Sequence, residues 1–86
     1  MFDGRHCTKQ DLESLIIETD KILNNLNVDN LTMYLKYIER FDQEIADKMR
    51  WKIKCAGEDT DKIKQIIVNN IEILKQNVMV DILEHQ

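Results

Sequence analysis

An all-α fold follows from three observations. Apolar residues recur at three- and four-residue steps along almost the whole chain, there is no proline, and there are only two glycines. The first is the spacing of one helix face. The other two leave few of the residues that β-turns require. Short polar linkers divide the pattern into three helices, and short linkers make neighbouring helices antiparallel. The expected architecture is an up-down-up three-helix bundle built on a long antiparallel αα-hairpin. It forms a single helical domain over residues 1–86, with a leader 1–7 and helices 8–26, 30–56 and 59–84.

The first helix rests on Leu12, Leu15, Ile16, Thr19, Ile22, Leu23 and Leu26, an uninterrupted i, i+3, i+4, i+7 series. Thr8 is its natural N-cap, because a hydroxyl accepts from an orphan first-turn N–H. Asp11 stands three residues later, as in a capping box. The run from Asn24 to Asn30 holds four asparagines, which compete for backbone hydrogen bonds and tolerate left-handed geometry, so the helix should stop there. The second helix starts after Asp29 or Asn30. Its core stripe is Leu31, Tyr34, Leu35, Ile38, Phe41, Ile45, Met49 and Ile53, and Gly57 is its C-cap.

The third helix starts at Asp59 or Thr60, with acidic residues suited to the positive end of the helix dipole. One stripe is Ile63, Ile67, Ile71, Leu74, Val78 and Ile82. A second, at strict heptad spacing, is Ile66, Ile73 and Val80, with Asn70 and Asn77 between the two. Either this helix touches two neighbours inside its own bundle, or the second stripe faces another chain with the asparagines setting register. The second reading makes Ile66, Asn70, Ile73, Asn77 and Val80 an oligomer interface.

Length and composition exclude several classes of function. Eighty-six residues make one domain, and a chain this short buries only about 60–65% of its unfolded surface. That thin margin favours a partner or a second copy. Apolar residues at 43% and charged residues at 33% exclude disordered and fibrous classes. No apolar run approaches the roughly 18 residues of a membrane span, and the start MFDGRHC has no signal-peptide pattern. A net charge of −4 argues against a general polyanion binder. Cys7 and Cys55 are too few for a disulfide scaffold, so reduced thiols and a cytoplasmic location are expected.

The stretch Lys48-Met49-Arg50-Trp51-Lys52-Ile53-Lys54 carries +4 in a chain otherwise at −8. Helix one, at about 27 Å, is shorter than the hairpin helices at about 39 Å. It should therefore leave the hairpin tip uncovered, unless Met1, Phe2 and the rest of the leader fold over it. Met49, Trp51, Ile53 and Ile66 are then an exposed apolar centre, and Lys48, Arg50, Lys52 and Lys54 its basic rim. On one continuous helix Lys36 and Arg40 would extend that basic face, and Trp51 would line up with Met33 and Tyr37. The blander alternative is a solvated helix face. Basic residues around an aromatic suit an acidic protein surface, and also nucleic acid through stacking on a base.

Signals for chemistry are few. The three-helix arrangement puts His6, Cys7 and Cys55 at one end and His85 at the other, about 35 Å away by helix rise. No metal site or cofactor is therefore expected. No phosphate loop, GxSxG or HExxH is present, and acidic pairs such as Glu39 with Asp42 read as solvated. No motif carries a family resemblance. The sequence is thus expected to encode a small cytosolic, non-catalytic protein. It would act by protein–protein binding as a regulator, inhibitor or assembly subunit, with a homodimer possible. The alternative is a nucleic-acid-binding module using the basic stripe Lys48 to Lys54.

Overall fold

Asp42 ends one helix and begins the next. Its carboxylate Oδ1 accepts from the backbone N–H of Glu44 at 3.0 Å and of Ile45 at 3.2 Å, while its own backbone is extended. This is an N-cap, and it lies inside the segment for which the apolar spacing predicts one continuous helix. The computed structural model describes residues 6–85. Among these it has four helices where three were expected: α1 Lys9–Asn24, α2 Val28–Glu39, α3 Gln43–Ala56 and α4 Thr60–Glu84. The expected helix 30–56 is therefore two helices.

The turn between them is tightened by Arg40 donating to the Tyr37 carbonyl at 3.2 Å, and by Phe41 and Asp42 both donating to the Ile38 carbonyl. Phe41 is buried and meets Tyr37 edge-on, with ring centroids 5.2 Å apart. An apolar ring driven inward beside a capping carboxylate makes the break stable rather than a fray.

The other ends follow local rules. Thr8 caps α1 in a reciprocal capping box with Asp11, as the sequence indicates. Asn27, rather than Asp29 or Asn30, caps α2 by accepting from the Asn30 N–H at 2.9 Å. Gly57 closes α3 at φ +67°, a left-handed value where a Cβ is unfavourable. Asp59 caps α4.

Packing follows the sequence of reversals. α1 packs on α2 and on α4, and α3 packs on α2 and on α4. Their inner faces share one core. It runs from Leu15 and Ile22 through Tyr34, Ile38, Phe41 and Met49 to Ile63, Ile67, Leu74 and Val78. α4 is the spine: its length of about 37 Å nearly matches the longest dimension of the molecule, 41 Å. Within the core, Thr19 Oγ1 donates to the Leu15 carbonyl and lies 2.8 Å from the Tyr34 hydroxyl. No buried side-chain nitrogen or oxygen among the described residues lacks a partner.

The extra turn changes which ends meet. Cys7 N–H donates to Asp81 Oδ2 at 2.6 Å, so the start of α1 lies at the end of α4. A three-helix arrangement would separate these segments by about 35 Å. Cys55 lies beside the first turns of α4, so the two cysteines occupy opposite ends of that helix and not the same end.

Asp42→Ala is expected to lower stability by about 1 kcal/mol, the usual worth of an N-cap. Phe41→Ala is expected to lower it by about 3–5 kcal/mol, the range for truncating a buried phenylalanine. Denaturant melts of both variants check this ordering. Equal, negligible losses at both positions would mean that the turn is not a packed junction.

Candidate functional site

Position 51 follows Met49 by two residues, or about 200° around the helix, so when Met49 points inward Trp51 points out. Met49 is 0% exposed and Trp51 is 67% exposed. Lys48 and Lys54 flank the indole one turn to either side on α3, and both are exposed. A shallow groove of about 200 Å³ runs between α3 and α4, lined by Trp51, Lys52, Cys55, Ala56, Lys62 and Ile66. The structure therefore brings Trp51, Lys52 and Ile66 together as expected, and adds Cys55, Ala56 and Lys62.

Other members of the expected site lie elsewhere. Met49 is closed into the core, because α2 turns back onto α3 and supplies the cover that a three-helix arrangement lacks. Ile53 is half-buried against the same core. Arg50 is committed to carboxylates: it pairs with Glu39 and, at 3.1 Å, with Asp47. Lys36 and Arg40 belong to the α2 side of the turn and do not continue the α3 face, and neither do Met33 and Tyr37. Met1 and Phe2, proposed as a cover, lie outside the described residues. Lys48, Lys52, Lys54 and Lys62 form no ion pair with another described residue, so a net positive rim surrounds the indole.

The second α4 stripe continues from this groove. Ile66 lines it, and Ile73 and Val80 follow at successive heptads, about 10 Å apart. Ile73 is 52% exposed, and Val80 and Asn77 are exposed too. Asn70 is not available to a second chain. It is 4% exposed and its Nδ2 donates to the Ile66 carbonyl at 2.8 Å. The polar group expected to set register between chains thus serves its own helix.

A larger groove of about 510 Å³ lies between α1 and α2, lined by Glu18, Lys21, Ile22, Asn25, Asn30, Met33, Tyr34 and Tyr37. Nothing in the apolar spacing marks it, since its lining is shared between two helices and mixes polar with apolar residues. Burial pushes the Tyr37 hydroxyl up to about 12 and raises Tyr34 further. Neither phenol is therefore primed as an acid–base group near neutral pH.

At the far end, where the segment before α1 meets the last turn of α4, three polar side chains converge. His6 Nδ1 is 3.6 Å from Asp81 Oδ1 and His85 Nδ1 is 3.5 Å from the same oxygen. The two imidazoles stack with centroids 3.4 Å apart. The Cys7 N–H and then the neighbouring imidazoles hold the Asp81 carboxyl below the ordinary carboxylate range. Beside it, burial followed by the Asp81 charge pushes the Cys7 thiol up to about 11. The expectation that His6 and His85 occupy opposite ends is thereby overturned, and the turn at Phe41 and Asp42 is the cause.

No protein-family model, curated protein or solved structure matches this chain. No described helix is long and apolar enough to cross a membrane.

The two thiols should separate chemically. A thiol raised to about 11 and buried stays protonated and shielded. Near neutral pH a thiol reagent is therefore expected to modify Cys55 in the native protein, and Cys7 only after unfolding. The raised value also sets a pH dependence. The unfolded chain releases this proton near 9.0 and the folded chain only near 11, so the contribution is intact below pH 9.0 and lost as pH climbs through that window. Peptide mass mapping after labelling, and melts across the alkaline range, check both statements. Equal labelling of the two cysteines would contradict the first.

Proposed function

We propose that this protein acts by binding another protein, without catalysis of its own, and that the Trp51 groove is where the partner docks. The carrying observation is an indole 67% exposed in a domain whose other aromatic rings among the described tyrosines and phenylalanines are buried or half-buried. A large exposed aromatic beside a shallow groove, with lysines that form no ion pair among the described residues, has the make-up of an interface anchor. The lysines favour an acidic partner surface, and the stripe Ile66, Ile73, Val80 favours an amphipathic helix lying along α4. The role fits a regulator, an inhibitor or an assembly subunit in a cytosol, where Cys7 and Cys55 stay reduced. A second copy docking through Ile73 and Val80 is the self-associating form of the same reading.

Nucleic acid is the second reading, favoured by Lys48, Lys52, Lys54 and Lys62 around an indole free to stack on a base. The overall charge of −4 weighs against it.

Trp51→Ala is expected to abolish retention of the native partner while changing stability by less than about 0.5 kcal/mol, the range for exposed positions. Met33→Ala, exposed on α2, should retain the partner, and Lys54→Ala should mainly slow association. Proteins retained by wild type and by Met33→Ala but lost from Trp51→Ala would identify the docking site. Unchanged retention by Trp51→Ala would refute the assignment, and polyanion binding that falls steeply with salt would favour nucleic acid. For self-association, Ile73→Glu should leave helicity intact and lower the sedimenting mass to that of a single chain. A wild type already monomeric at high concentration would remove that form of the proposal.

A further inference from the structure

His6, Asp81 and His85 each offer one donor atom, and these atoms all lie within 4.8 Å of one another. His6 Nδ1 lies 3.6 Å from Asp81 Oδ1, and His85 Nδ1 lies 3.5 Å from the same oxygen. A tetrahedral Zn²⁺ with bonds of about 2.0–2.2 Å to nitrogen and oxygen holds its donors roughly 3.3–3.6 Å apart. The carboxylate is already aimed. Its Oδ2 is engaged by the Cys7 N–H at 2.6 Å, which leaves Oδ1 toward both rings. That backbone hydrogen bond is the kind of outer contact that orients a ligating carboxylate.

We infer that His6, Asp81 and His85 form a binding site for a divalent transition-metal ion of borderline softness, Zn²⁺ above all, that ties the segment before α1 to the last turn of α4. Two imidazoles and one carboxylate suit such an ion, whereas Mg²⁺ and Ca²⁺ prefer all-oxygen sites. Three protein ligands leave the fourth position to water. The Cys7 thiol supplies no donor to the set.

Binding rearranges the site in defined ways. Each Nδ1 presents its lone pair to the ion, so each ring carries its proton on Nε2. The 2.9 Å contact between His85 Nδ1 and the Asp81 carbonyl is given up. The two rings leave their stacked arrangement, since parallel lone pairs cannot converge on one ion. Both side chains are substantially exposed, so the rings turn without disturbing the core. Ligands drawn from residues 6, 81 and 85 come from the two ends of the described chain. The ion therefore stabilises the folded state over the unfolded one, where no preformed site exists.

The test is titration of the full chain with Zn²⁺ alone, followed by calorimetry and by the thermal midpoint. One ion is expected to bind per chain and to raise the midpoint. His6→Ala, His85→Ala and Asp81→Asn should each weaken binding by about tenfold or more, at least the loss seen for outer-shell partners. Cys55→Ser should change nothing. Co²⁺ in place of Zn²⁺ should give a visible spectrum with no thiolate charge-transfer band. Because His6 and His85 are exposed, their alanine variants keep the metal-free midpoint, so lost binding cannot be ascribed to lost folding. The inference is overturned by any of four results: no saturable binding, binding that survives both histidine variants, a thiolate band with Co²⁺, or an ion that links two chains. In the first case the three residues are an intramolecular polar clasp only.

Discussion

Two backbone N–H groups donating to one carboxylate, that of Asp42, determine where the later elements of this protein fall. Satisfying orphan donors at a helix start is worth about 1 kcal/mol. Burial of Phe41 next to it adds the larger share, since a buried phenyl ring is among the strongest anchors a core contains. Together they turn what would be a single long helix into a pair that packs on itself. Everything that distinguishes the molecule from a three-helix hairpin follows from that reversal. Met49 gains a cover, the basic face of α3 is cut off from Lys36 and Arg40, and the start of the described chain returns to its end.

Much of this is legible in the sequence. Thr8 and Gly57 are readable as caps, and the start of α4 as Asp59 or Thr60, because helix ends are a local contest between a side chain and the nearest backbone groups. The inward positions of α4 are readable because one helix packed on two neighbours must show a continuous apolar stripe. The exposure of Trp51 is readable as well, since it falls off the stripe that contains Met49. The break at Phe41 was hidden because residues 38, 41 and 45 keep the three-four spacing straight through the turn. A buried side chain at a corner is indistinguishable, by periodicity, from one inside a helix. The available signal was Asp42 itself, a poor helix-interior residue standing immediately before Gln43 and Glu44.

Errors at the candidate sites descend from the same source. The pairing of chain ends depends on the number of reversals, so one missed turn sends His85 to the wrong end of the molecule. Asn70 illustrates a different limit. A polar residue between two apolar stripes reads as an interface marker, yet it satisfies its own helix through the Ile66 carbonyl. Spacing alone does not distinguish the two uses. The groove between α1 and α2 has no sequence signature, because its lining is divided between two helices and no single stretch carries it.

The central claim is that the turn at Phe41 and Asp42 brings the segment before α1 onto the last turn of α4. Proton–proton contacts between the two imidazole rings test it most directly, because His6 and His85 are the only histidines in the chain and their signals are separable. Stacked rings with centroids 3.4 Å apart are expected to give strong nuclear Overhauser effects between His6 and His85. Absence of any such contact, with His6 instead near residues at the start of α4, would contradict the four-helix account and restore the uninterrupted hairpin.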